Sequence, residues 1–511
     1  MSSARRTRLL LPMALTIALT AGAMPAAEAT GAGAHARPGA QTLDDPVFPT
    51  LGNGGYDALK YDLDFSYQAD TKLVDAVTAL AARATQNLSQ FSLDSVGAQI
   101  HQVQVNGQDV AWSQQDEKLV ITPQRPLHRG RVFVVRISYT ADPRTTGHSG
   151  WVYTADGFAL AGQPDAAHTV FPSNDHPSDK SRFVIHVDVP AGLTGVANGT
   201  RTDTSTTDGR TRSTYTSRDP IATELVQVAV GDYTEIRRTG PNELPLRDVV
   251  PTARQASLEP ALALTPGQLT WLEARLGPFP FETYGLLPLS ENNPPNLTFT
   301  GLESQTLTLY RPSFLEQPES AIGSHMMHEL THSWFGNSVS PGTWADLWLN
   351  EGHADYYGLL YRYEKGWTDS RGYTNLTDRM KYTYSQGDLW RSTSGPVAAP
   401  NAANLFDNQR YTGGVLALFA LREHIGPDAF DTLEHTFLAR YRNATATTAD
   451  FIALASEVTG QDQSDFLTAW LYGTTTPPMP NHPDWTVNPV PPTATLRTTA
   501  PAHPRDNSAT L

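Results

Sequence analysis

The chain has 511 residues, a formal net charge of −15 and no cysteine. This composition excludes disulfides, thiolate metal sites and a cysteine nucleophile, so any metal must be held by nitrogen and oxygen. The acidic balance, with no Lys/Arg patch, argues against a nucleic-acid partner, and the length suggests more than one domain.

Residues 1–29 read as a signal peptide. Arg5, Arg6 and Arg8 form a positive start, Leu9 to Ala21 is mostly apolar, and Ala27-Glu28-Ala29 is a small-residue cleavage pattern. The apolar run is too short and weak for a stable span, so no membrane anchor is expected after cleavage, and the product is expected to be secreted. The paired arginines also suit a twin-arginine export route. Residues 30–44, rich in Gly, Ala and Pro, read as a flexible lead-in.

Residues 45–236 read as a β-rich domain. Leu59, Tyr61, Leu63, Phe65 and Tyr67 alternate with polar residues, as do Phe183, Ile185, Val187 and Val189, and then Val226, Val228 and Val230. Val132 to Tyr139 is a further β-branched run. Asn106-Gly107 and Asp208-Gly209 are turn pairs between such runs.

From 237 to 476 the pattern is mostly helical. A helix is expected from Glu319 to Gly336, with Pro318 at its start. It carries His328, Glu329 and His332 in the order H-E-x-x-H. Histidines four apart share a helix face, so both imidazoles can bind one zinc ion while the glutamate remains free as a base. A second helix, Trp344 to about Tyr363, brings Glu351 as a third ligand, leaving one tetrahedral position open for water. Chance production of H-E-x-x-H with a glutamate at one fixed distance is about one in a thousand for such a chain. Metal-bound histidines usually donate their other N–H to a carboxylate or carbonyl; Asp355, four after Glu351, is spaced to hold one histidine, and Asn350 is the candidate for the other. His353 points to a different face and is expected to have no metal role, and His176 reads as structural. Leu416 to Ile425, ending at Gly426-Pro427, is another helix. Residues 477–511 are rich in Pro and Thr and read as an extended tail.

His328-Glu329-Leu330-Thr331-His332-Ser333-Trp334-Phe335-Gly336-Asn337, followed by Asp346-Leu347-Trp348-Leu349-Asn350-Glu351-Gly352, resembles the zinc site of the aminopeptidase N family. That family, which includes leukotriene hydrolase, consists of gluzincins. The resemblance implies an α+β fold: a saddle-like N-terminal β domain, then a thermolysin-like, mostly helical zinc-peptidase domain. It also implies one zinc per chain and peptide substrates with a free N-terminus. Phe171 to Pro177 and Val230-Gly231-Asp232-Tyr233 resemble marks of the β domain, and Leu276 to Phe281 resembles the entry to the catalytic one. Thr300-Gly301-Leu302-Glu303-Ser304 is similar to the family's G-A-M-E-N segment, departing from it at Thr300 and Ser304. This implies that the Gly301 strand pairs with the substrate backbone and that Glu303 binds its α-ammonium, with Gln163 the nearest candidate for an assisting glutamine. Tyr411-Thr412-Gly413-Gly414-Val415 resembles the element of the catalytic tyrosine, so Tyr411 would stabilise the oxyanion while Glu329 serves as base.

Many family members carry a large C-terminal helical domain for which this length has no room. An endopeptidase with an open groove is therefore a further reading. So are an epoxide hydrolase and a catalytically silent peptide- or zinc-binding protein. The sequence leaves the oligomeric state open.

Overall fold

Period-two alternation along Tyr56–Gln68 builds the middle of a nine-stranded sheet. Its neighbours are Leu73–Ala84, antiparallel, and Lys180–Pro190, parallel. Tyr61, Leu63, Phe65 and Tyr67 face the core as their spacing predicts. Leu59 does not. It is the extra residue of a bulge between Ala58 and Lys60, so the inward set continues with Ala58 and Tyr56. The two turn pairs behave as read: Asn106-Gly107 and Asp208-Gly209 have positive φ at both positions, the geometry that closes a two-residue hairpin.

The computed structural model describes residues 35–490, and the described residues from Ala36 onward belong to one unit. The segment read as a signal peptide and residues 491–511 lie outside the described residues. Strands continue past the expected change at residue 236, because Tyr233–Thr239 pairs with Pro245–Pro251 in a hairpin that straddles it. Helices begin at Gln255. The fold class is α+β, with the β-rich part first and the helical part second.

A three-stranded sheet joins the two parts. Thr308–Tyr310 lies between Leu286–Pro288 and Gly301–Leu302, which leaves Gly301–Leu302 as an edge strand. Leu302, Leu307 and Leu309 pack into the core of the large sheet, whereas Leu286 and Tyr310 pack into the helical core. The segment leading to Glu303 therefore sits on the seam and is fixed from both sides.

Two expectations about the chain ends are corrected. Part of the lead-in is bound into the fold: Arg37–Pro38 pairs with Leu88–Asp94, and the Gly39 amide donates to the Gln90 carbonyl at 2.9 Å. Low apolar content hid this, because backbone hydrogen bonds hold the segment. The tail also does not end the packed structure at Pro477. Residues 477–490 have no helix or strand, yet Met479 and Trp485 are buried in the helical core. The Trp485 ring stacks on Phe419 (centroids 6.0 Å, planes 8° apart) and on His482 at 4.3 Å. Burial of one indole outweighs the prolines around it. Trp485→Ala is expected to destabilise the protein by about 3–5 kcal/mol. An unchanged denaturant midpoint and slope would show instead that this segment rests loosely on the surface.

Candidate active site

The helix bearing both histidines runs from Glu319 to Thr331, five residues shorter than expected. After it the chain turns tightly: the Asn337 amide donates to the His332 carbonyl at 2.9 Å and the Ser338 amide to the Ser333 carbonyl at 3.1 Å. Gly336 makes this turn possible with φ of 123°, and a Cβ there would stand 3.3 Å from both His332 Nδ1 and Asn350 Nδ2. The second helix, Trp348–Glu364, follows a 3-10 turn capped reciprocally by Thr343 and Asp346. It crosses the helix Thr412–Ile425 at two facing glycines. A Cβ on Gly352 would come 3.1 Å from Gly414 Cα, and one on Gly414 would come 2.9 Å from Gly352 Cα. This close approach brings Tyr411, just ahead of its helix, into the cleft that Glu351 lines.

Three acceptor atoms meet at the centre. His328 Nε2 and His332 Nε2 are 3.1 Å apart, and Glu351 Oε2 lies 3.3 Å and 3.4 Å from them. His332 Nδ1 donates to the Phe335 carbonyl at 3.0 Å, and His328 Nδ1 donates to Asp355 Oδ1 at 2.8 Å. A carbonyl can only accept, so Nδ1 of His332 holds a proton, and when the ring is neutral its Nε2 carries the lone pair. The carboxylate fixes His328 the same way. Two lone pairs and a buried carboxylate oxygen without a hydrogen-bond donor thus converge. Ligands about 2.0–2.1 Å from a tetrahedral zinc stand about 3.3–3.4 Å apart, so the triangle fits that ion. With protons alone to share, burial opposes charge on His332, yet Glu303 and Glu351 raise it to about 9. Burial likewise opposes ionisation of Glu351, but His332 and His328 hold it down at about 2. Both directions mark a pocket that favours a cation.

Asp355 holds His328 as expected. Asn350 does not hold His332 and does not line the cleft; the carbonyl of Phe335 takes that role, because the tight turn curls it back over the ring. His353 stacks on Phe335 at 4.0 Å and bonds Leu349 and Glu434, away from the triangle. His176 is structural: it contacts Asp45, which also accepts from the Trp344 amide at 2.8 Å.

The cleft over the triangle also gathers Gln163, Gly301, Glu303, Glu329 and Tyr411. Glu303, Glu329 and His332 have ligand atoms within 4.8 Å of one another. Gln163 Nε2 donates to Glu303 Oε1, across 140 residues of sequence. The Glu329 carboxylate lies against Gly301, where a Cβ would meet Oε1 at 2.5 Å. Burial, with Glu303 nearby, pushes Glu329 up to about 8 although His328 pulls it down. The Tyr411 ring stacks with that of His328, centroids 6.0 Å apart. His325, which sequence reasoning passed over, also lines the cleft, with Nε2 3.3 Å from Glu329 Oε1. Burial depresses it to about 3, so it is a neutral imidazole. Its position one turn before Glu329 was the available signal.

The Peptidase family M1 domain matches residues 262–470, and the Peptidase M1 N-terminal domain matches residues 57–225. The chain belongs to peptidase family M1. Leukotriene A-4 hydrolase of Xenopus laevis is 28% identical over 426 residues, covering 77% of this M1 chain and 66% of that protein. Leucyl aminopeptidase of Saccharolobus solfataricus is 24% identical over 433 residues, covering 80% and 52%. The chain thus spans about half to two thirds of the length of these relatives. An M1 zinc metallopeptidase mutant of Deinococcus radiodurans bound to a Tyr-Ser-Ala substrate superposes with a TM-score of 0.74 at 28% identity, covering 87% of this chain and 100% of that one.

The geometry separates Asp355 from Asn350. Asp355→Ala should weaken zinc binding by about 10–100-fold, while Asn350→Ala should stay within about threefold of the parent. Competitive chelator titration with metal analysis checks both, and equal losses would contradict the hydrogen-bond assignment.

Proposed function

We propose that this chain is a zinc-dependent aminopeptidase that removes N-terminal residues from peptides. The observation that carries the reading is the buried Glu303 carboxylate, bonded by Gln163 and within 4.8 Å of Glu329 and His332. Such a group suits the α-ammonium of a peptide whose first carbonyl lies over the metal ligands. Membership of family M1 and the peptide bound by the Deinococcus neighbour support a peptide substrate.

His328, His332 and Glu351 would hold one zinc ion. Zinc supplies Lewis acidity and lowers the pKa of a water it binds to about 7. Gly301–Leu302, an unpaired strand edge, offers backbone groups to the substrate chain. Glu329 takes the proton of the attacking water and passes it to the leaving amine. The Tyr411 hydroxyl donates to the carbonyl oxygen as it becomes negative. Asp355 and the Phe335 carbonyl keep both imidazoles oriented throughout. We further propose export, with cleavage after Ala29; N-terminal sequencing of protein from the culture medium would begin at Thr30, and recovery of the uncleaved chain from the cell alone would oppose it.

Glu329→Gln keeps the size of the base and removes its function; zinc should be retained and kcat lowered by about 10²–10⁴. Tyr411→Phe should lower kcat by about 10²–10³, and a change confined to KM would move Tyr411 to ground-state binding. The aminopeptidase reading is tested by N-acetylation. A carboxylate facing a neutral amide is left unpaired, so acetylated peptides should be cleaved about 10² times more slowly or worse. Equal kcat/KM for free and acetylated peptides would replace this reading with an endopeptidase.

A further inference from the structure

Lys180 opens the central strand Lys180–Pro190 of the large sheet, yet its side chain serves the other part of the molecule. Its Nζ donates to the Asn337 carbonyl at 2.6 Å and to the Ser338 carbonyl at 2.9 Å. These carbonyls belong to the turn that follows the histidine-bearing helix. Asn337 links three things at once. Its amide donates to the carbonyl of His332, its carbonyl accepts from Lys180, and its Nδ2 donates to the carbonyl of Glu303 at 2.7 Å.

We propose that Lys180 is a positioning residue: by fixing the Asn337–Ser338 turn from the β-rich part, it sets the spacing between Glu303 and the histidine ligands. The inference rests on the reading of Glu303 as an amine anchor. The anchor segment has other ties to the β-rich part, through Gln227 Nε2 to Ser304 Oγ at 3.1 Å and the Gln305 amide to the Leu225 carbonyl at 3.1 Å. Those ties hold Glu303 but not the turn beyond His332. Among the described residues, Lys180 is the cation bonded to that turn. Keeping it there is costly, since burial pushes Lys180 down to about 7 and its neighbour Glu224 up to about 8. Removing Lys180 alone leaves the Asn337 and Ser338 carbonyls without that donor and Glu224 without its nearby cation, so a loss of stability has to be separated from a loss of spacing by comparing two inhibitors.

The test uses two hydroxamates on the zinc-loaded full chain. Acetohydroxamic acid engages the metal alone. Leucine hydroxamic acid engages the metal and offers an ammonium to Glu303, so its extra affinity reports how well the two anchors are spaced. In Lys180→Met this advantage should shrink about tenfold, with zinc content and the acetohydroxamate Ki unchanged, and Lys180→Arg should restore most of it. An undiminished advantage in Lys180→Met overturns the proposal. Parallel weakening of both inhibitors or loss of zinc overturns it too, because the lysine would then support the fold in general. If Lys180→Met folds poorly, Asn337→Ser, which removes the link to Glu303, carries the same expectation. A wild-type enzyme that binds the two hydroxamates equally would instead remove the amine anchor, and the inference with it.

Discussion

Two imidazole nitrogens and a carboxylate oxygen lie within 3.4 Å of one another in a buried cleft. Acceptors do not crowd together in this way without a cation to share. The rest of the site follows from holding them there. The Phe335 carbonyl and Asp355 fix the tautomers, Gly336 curls the chain so that the carbonyl can reach His332, and the Gly352–Gly414 crossing lets a third helix approach. Tyr411 enters the cleft as a consequence of that crossing.

The β-rich part does more than sit beside the helices. It supplies Gln163 to Glu303, buries Leu302 and Leu307 on either side of that residue, and reaches past it with Lys180 to the turn after His332. The edge strand Gly301–Leu302 is thus rigid on its inner side and open toward the cleft. A peptide added to such an edge would inherit its register from the same hydrogen bonds that place Glu303. Under the proposed aminopeptidase function, specificity for chain ends would be built from contacts between segments far apart in sequence.

The two histidines were legible because their spacing is local, a helix repeating every 3.6 residues, as was Asp355 relative to Glu351, whereas Glu351 itself lies on a second helix and was reached by its separation from His332. Glu303, Gln163 and Tyr411 were reached through resemblance, and the cleft brings all three to the triad. The partner of His332 was misread because a backbone carbonyl has no letter in the sequence, while Asn350 next to Glu351 looked suitable. Helix length was overestimated for a related reason: the expected helix ran on to Gly336, whereas the turn is decided by Gly336 itself and by hydrogen bonds back to His332 and Ser333. Lys180 and Trp485 depend on contacts across more than 60 residues, to Asn337 and Phe419, which no local pattern encodes.

These three acceptors, and not the neighbouring carboxylates, are expected to hold the metal. Glu303, Glu329 and His332 form a second group within 4.8 Å that could compete for it. Anomalous diffraction at the zinc edge from crystals of the zinc-loaded protein decides between them. The account predicts one peak, about 2.0–2.2 Å from His328 Nε2, His332 Nε2 and a Glu351 oxygen. A peak bound by Glu303 and Glu329 in place of Glu351 would contradict it.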